Sequence, residues 1–183
     1  MFINCLFRIL KKYSVVFVML LIPMRAIAGA PVPGSEFPKV DMMHLASGKR
    51  VPLIQSGSVT MVNLWATWCE ACKVELAEME NHLLPITGPT GSKPRLAFVS
   101  LDKDPTMARA WFQKNTKATD AMLANLYSDA GFELAERLDA DSFPMTVIIG
   151  KDGKVLHVER GFKEGKEGSD QVKKIAALLQ SSL

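Results

Sequence analysis

Cys69 and Cys72 stand three positions apart in the stretch Trp65-Ala66-Thr67-Trp68-Cys69-Glu70-Ala71-Cys72. That spacing suits a pair that cycles between dithiol and disulfide. A thiolate on Cys69 would attack a foreign disulfide to give a mixed disulfide, which Cys72 then resolves. A permanent structural bridge is poorly served by so short a loop, because closing it constrains the unfolded chain little. A zinc site needs four ligands, and beyond the pair there are only His44, His82 and His157, widely scattered. No metal is expected.

The flanking elements place the pair where a strand turns into a helix. Residues 59–65 form a short apolar run bounded by Gly57-Ser58, which suits a buried strand. Downstream, Cys72, Leu76, Met79 and Leu83 recur at helical spacing, with Lys73, Glu75, Glu78 and Glu80 assigned largely to other faces. Unpaired N–H groups and the positive dipole end at the helix start favour a thiolate at Cys69. Cys72 falls on the shielded inner face. Glu70, between the cysteines, adds a negative charge that raises thiol pKa values and biases the pair towards the reducing side. Trp68 is read as partly shielding the pair.

Further along, residues 40–45 and 50–54 around a Gly48 turn predict a hairpin, and residues 95–101 a second buried strand. Asp104-Pro105 opens a helix with Met107, Ala108, Trp111 and Phe112 on one face. Residues 122–127 read as a strand and 131–138 as a short helix. Residues 145–149 and 154–159 flank Gly150-Lys151-Asp152-Gly153, a hairpin signal. A last helix from about Ser169 carries Val172, Ile175, Ala176 and Leu179 on one face. Strands alternating with helices predict an α/β fold with a mixed sheet.

The chain has 22 Lys and Arg against 19 Asp and Glu, a net charge of +3. Arg8, Lys11, Lys12 and Arg25 all precede residue 29, where no acid occurs, so the rest is close to neutral. Nothing in this balance points to nucleic acid. The basic start, the apolar residues 13–22 and Ala26-Ile27-Ala28 read as a signal peptide over 1–28. The rival reading is an uncleaved N-terminal membrane anchor, although the apolar core is about half the length a spanning helix needs. Cys5 lies within this leader. Residues 29–38, with Pro31, Pro33, Gly34 and Pro38, read as a linker, and 39–183 as one domain. Either reading of the leader puts the domain outside the cytoplasm, in a periplasm or an equivalent compartment.

The chain resembles the thioredoxin superfamily, and within it the TlpA-like and ResA-like extracytoplasmic thiol-disulfide oxidoreductases. The matching residues are 62–69 with Cys72, then Phe143-Pro144-Met145-Thr146, Asp152-Gly153-Lys154 and Gly161. The resemblance implies a thioredoxin-like fold, here with an N-terminal β extension and with 122–138 as the strand-plus-helix insert of this branch. It implies that Pro144 is cis, which composition alone could not show. Phe143 and Pro144 would position an incoming polypeptide by strand-like pairing, and Gly161 would let the next loop approach closely. Asn63 stands where cytoplasmic thioredoxins have a buried aspartate, and Glu75 matches the branch's active-site glutamate, a proton relay or pKa modulator. Thr67 lies two positions before Cys69, not three as in the thiol peroxidases of this fold. The copper-chaperone relatives have wider cysteine spacing and a partner histidine.

The resemblance thus implies a protein disulfide reductase with no cofactor beyond the Cys69–Cys72 disulfide, with cytochrome c maturation or thiol maintenance as settings. Its substrates would be disulfide-bonded proteins, and its electrons would come from a membrane thiol-disulfide donor. Two alternatives stay open: a dithiol oxidase or isomerase, and a non-catalytic adaptor built on the same fold.

Overall fold

The computed structural model describes residues 29–183 apart from residue 118. The leader reading for 1–28 lies outside the described residues. Among the described residues twelve elements follow in order: β1 (Asp41–His44), β2 (Lys49–Pro52), β3 (Thr60–Trp65), α1 (Glu70–Leu83), β4 (Arg95–Ser100), α2 (Pro105–Asn115), α3 (Thr119–Leu123), β5 (Leu126–Ser128), α4 (Glu133–Arg137), β6 (Met145–Ile149), β7 (Val155–Arg160) and α5 (Lys166–Ser182). The strands form one seven-stranded sheet in the order β2-β1-β5-β4-β3-β6-β7. β3 runs parallel to β4 and antiparallel to β6, so the sheet is mixed, as the sequence predicts.

Alternation along β3 explains how one strand serves two cores. Met61 and Trp65 join Cys72, Leu76, Met79, Phe112, Val172, Ile175 and Leu179 on the face covered by α1, α2 and α5. Val62 and Leu64 join Val99, Leu101, Val147, Leu134 and Phe37 on the other face. Every residue of β3 is therefore buried, as expected of a central strand covered on both sides. Trp65 anchors an aromatic cluster with Trp111 and Phe112, ring centroids 5.4 and 5.0 Å away. No described helix is long and apolar enough to cross a membrane.

Three differences from the sequence reading have physical causes. Residues 122–127 do not form one strand: Thr119–Leu123 is a helical turn, and only Leu126–Ser128 pairs, parallel to β4. Apolar residues that short fit either state, and the sheet accepts only the part that reaches β4. Part of the segment read as a linker is docked on the domain. The Gly34 N–H donates to the Val155 carbonyl, the Phe37 N–H to the Gly153 carbonyl, and the Phe37 side chain is buried. Prolines prevent regular structure there without preventing packing. α5 begins at Lys166, earlier than the apolar stripe suggests, with Gly168 buried where a Cβ would clash with the Lys163 carbonyl and the Phe162 ring.

Candidate active site

The Cys69 loop is a turn whose bonds are set by the end of β3. The Cys69 N–H donates to the Ala66 carbonyl at 3.1 Å, and Cys69 is the N-cap of α1, with φ −97° and ψ 102°. The Cys72 N–H donates to Cys69 Sγ at 3.2 Å, so an orphan donor of the first turn points at the sulfur that would carry a thiolate. The two cysteines are disulfide-bonded, with Cα atoms 5.3 Å apart. Cys72 is fully buried and Cys69 partly exposed. Only Cys69 is open to attack by or on an external sulfur.

A buried carboxylate holds the outer arm of the turn. Asp102, just beyond β4, accepts bonds from the Thr67 N–H (3.2 Å), the Thr67 hydroxyl (2.7 Å) and the Ser100 hydroxyl (2.8 Å). It is 1% exposed. Sequence reading missed this clasp, although Ser100-Leu101-Asp102 at a strand end offered the signal: two polar side chains on one face where β4 leaves the core.

The register Leu64 opposite Met145 brings Pro144 alongside Trp65, at the end of β3 that leads to the cysteines. The Phe143–Pro144 peptide bond is cis. The Pro144 carbonyl accepts from the Gly161 N–H at 2.7 Å. Gly161 has φ 71° and open space around its missing Cβ, so its requirement is backbone conformation, not the close approach expected from the sequence. Phe143 packs edge-on to Trp68 at 6.1 Å. Among the described residues, its own N–H and carbonyl have no hydrogen-bond partner. Trp68 is 58% exposed, so it forms a projecting apolar edge beside Cys69, not a lid.

The two glutamates of α1 have opposite surroundings. Glu70 lies in solvent and ion-pairs with Lys73; its charge is screened and partnered, which weakens the bias expected from its position between the cysteines. Glu75 is 2% exposed. The sequence pattern assigns it to a polar face, yet it is three residues past Cys72 and shares that residue's inward face. The Asn63 amide donates to Glu75 Oε2 at 2.8 Å and to Thr146 Oγ1 at 2.9 Å, and the Thr146 hydroxyl lies 3.5 Å from Glu75 Oε1. Burial pushes the Glu75 carboxyl up to about 8; the Asn63 and Thr146 bonds pull the other way, and the charge of Glu159 adds to the rise. It can therefore take up or release a proton near neutral pH, one turn from Cys72.

The Redoxin family model matches residues 32–179. The chain belongs to the Redoxin family. Among curated proteins it is similar to the thiol-disulfide oxidoreductase ResA of Bacillus thuringiensis subsp. konkukian, 28% identical over 143 residues that cover 78% of each chain. Among solved structures, a candidate thiol:disulfide interchange protein DsbE from Chlorobium tepidum superposes with TM-score 0.65 at 20% identity, covering 81% of this chain and 99% of that one. StoA from Bacillus subtilis does so with TM-score 0.57 at 18% identity, covering 76% and 98%. These likenesses establish the thioredoxin-like architecture for this Redoxin chain. Among its described residues no group of three or more His, Cys, Asp or Glu is placed to hold a metal ion.

Proposed function

We propose that this Redoxin protein is a thiol-disulfide oxidoreductase working as a protein disulfide reductase outside the cytoplasm. The observation that carries the reading is the asymmetry of the pair: a partly exposed Cys69 at a helix start, its sulfur facing the Cys72 N–H, with Cys72 buried beneath. The Cys69 thiolate attacks a substrate disulfide, and one substrate sulfur leaves with the electron pair. Cys72 then attacks Cys69 Sγ; its S–H proton passes to Glu75 in the molecules whose Glu75 carboxyl is ionised, a fraction that grows as pH rises towards 8, the Cys69–Cys72 bond forms, and the second substrate sulfur departs as thiolate. The unpaired backbone of Phe143 and the exposed Trp68 ring offer an extended polypeptide a place to lie across Cys69.

The cysteines carry the electrons, so the cycle uses no cofactor and must be closed by another dithiol, which we assign to a membrane thiol-disulfide donor. The leader pattern supports the compartment, and the ResA name of the curated relative supports the reaction type. Maturation of cytochrome c is one setting that fits. Cys72→Ser expressed in intact cells is expected to accumulate mixed disulfides on Cys69, visible as mass shifts on non-reducing gels and abolished by dithiothreitol. A variant that reduces insulin as wild type does, and traps nothing, refutes the mechanism. A Cys69/Cys72 couple near about −120 mV, the value of a strong dithiol oxidant, refutes the direction.

A further inference from the structure

The polar contacts of Glu75 belong to a longer line of side chains. Asn63 on β3 is the register partner of Thr146 on β6, and Thr146 is the register partner of Glu159 on β7. Residues directly opposite in antiparallel strands project from the same face. Asn63, Thr146 and Glu159 therefore form one polar rung across three strands, on the face covered by α1 and α5, and Glu75 stands over its inner end. The outer end is held with equal care. Glu159 Oε2 lies 3.1 Å from His157 Nε2 and 3.7 Å from Lys174 Nζ, and Glu159 Oε1 accepts from the Gln171 amide at 3.3 Å. Its side chain is only 22% exposed, so part of its charge acts through protein and not through water.

We propose that Glu159 is a residue of the redox machinery that acts through Glu75: its carboxylate, seated on the shared rung, controls whether Glu75 holds a proton when Cys72 must give one up. The inference rests on the exchange reaction proposed above and adds the residue that sets its proton acceptor. The groups that bond or pair with the two carboxylates are Asn63 of β3, Thr146 of β6, His157 of β7, and Gln171 and Lys174 of α5, and Cys72 lies one turn before Glu75 on the buried side of α1. Charge enters this set from two sides. Glu159 repels a second negative charge on Glu75 and makes it a stronger base, while Lys174, and His157 when protonated, offset that repulsion. A change at the sheet edge thus reaches the buried site with no movement of the backbone.

Two substitutions with opposite expected signs test this. The proton on Glu75 is followed in the full-length oxidised chain by the side-chain carboxyl 13C shift against pH. In parallel, the pH profile of insulin-disulfide reduction is measured. Glu159→Gln keeps the hydrogen-bonding shape and removes the charge; it is expected to move the Glu75 midpoint, and the limb of the rate profile that follows it, to lower pH. Lys174→Met is expected to move both to higher pH. A Glu75 midpoint unchanged in Glu159→Gln, or displaced the same way by both variants, overturns the proposal. Should Glu159→Gln fail to fold, Lys174→Met with His157→Gln decides it from the positive side, since an unmoved midpoint in that pair refutes the coupling. Absence of insulin reduction by the wild-type chain refutes the reductase reading and leaves the titration result standing on its own.

Discussion

Replacing Glu75 by Gln isolates what a buried ionisable group costs this fold. In the native state the carboxyl is raised from its ordinary 4.5 to about 8, chiefly by burial. In the unfolded chain it titrates at the ordinary value. Because the folded state holds its proton more tightly, the native-state advantage is fully present below pH 4.5 and is lost as pH rises towards 8. The loss follows roughly 1.4 kcal/mol per pH unit and levels off above about 8, for a total on the order of 5 kcal/mol. The amide that Glu75→Gln introduces keeps the size of the side chain, accepts the Asn63 N–H and carries no charge, so it escapes this term. Urea unfolding of the oxidised proteins, with the disulfide intact in both, is therefore expected to show a variant-minus-wild-type stability that climbs between about pH 5 and pH 8 and is flat above. A difference that stays constant across that range refutes the assignment of Glu75 as a buried, titrating group. Turnover should move the opposite way: the stabilised variant lacks the acceptor for the Cys72 proton and resolves mixed disulfides more slowly.

Other expectations concern the groups around the pair. Asp102→Ala strands the Thr67 N–H and the Thr67 and Ser100 hydroxyls in a nearly closed site; a loss of about 3 kcal/mol in urea unfolding is expected, and a loss under about 1 kcal/mol would show that the clasp is dispensable. Trp68→Ala should leave stability within about 0.5 kcal/mol because the ring is mostly in solvent. Its KM for a protein disulfide should rise about two- to tenfold as an apolar contact is removed, with kcat little changed; an unchanged KM means that substrates do not use this edge.

What could be read from the sequence follows from the range of each interaction. β3, α1 and the β6–β7 hairpin announce themselves within a few residues, through an apolar run, a helical stripe and a Gly-Lys-Asp-Gly turn. The Cys69 loop was legible for the same reason. Glu75 was half legible: its motif position pointed to the redox pair, while polarity alone assigned it to solvent, although its spacing from Cys72 and Met79 places it on the buried stripe. Phe37 was hidden because its docking depends on a partner, Gly153 in the β6–β7 turn, more than a hundred residues away. Asp102 required knowing that β4 ends beside the Cys69 turn. The Asn63–Thr146–Glu159 rung was out of reach, since it exists only once two strand registers are fixed, and a shift of one residue in either would turn one of its members to the other face.

The electrostatics of the site are better described by depth than by sequence proximity. Glu70 is next to Cys69 in the chain, yet it lies in water and is paired with Lys73, where an ion pair contributes little and is screened further by salt. Glu75 is farther along the chain but shares the closed interior with Cys72, where the same unit charge has much less solvent to weaken it. At neutral pH Glu75 is largely protonated, so it does not oppose a thiolate on Cys69, whose sulfur is met by the Cys72 N–H and the helix start. A stabilised thiolate favours the dithiol form and makes the pair a weaker reductant. As pH rises past about 8, Glu75 ionises, and its charge is expected to oppose negative charge on the sulfurs and to push the pair towards giving its electrons away. On the exchange mechanism proposed above, the reducing power of Cys69 and Cys72 is expected to be coupled to a proton held three residues beyond the second cysteine, with the buried groups deciding it.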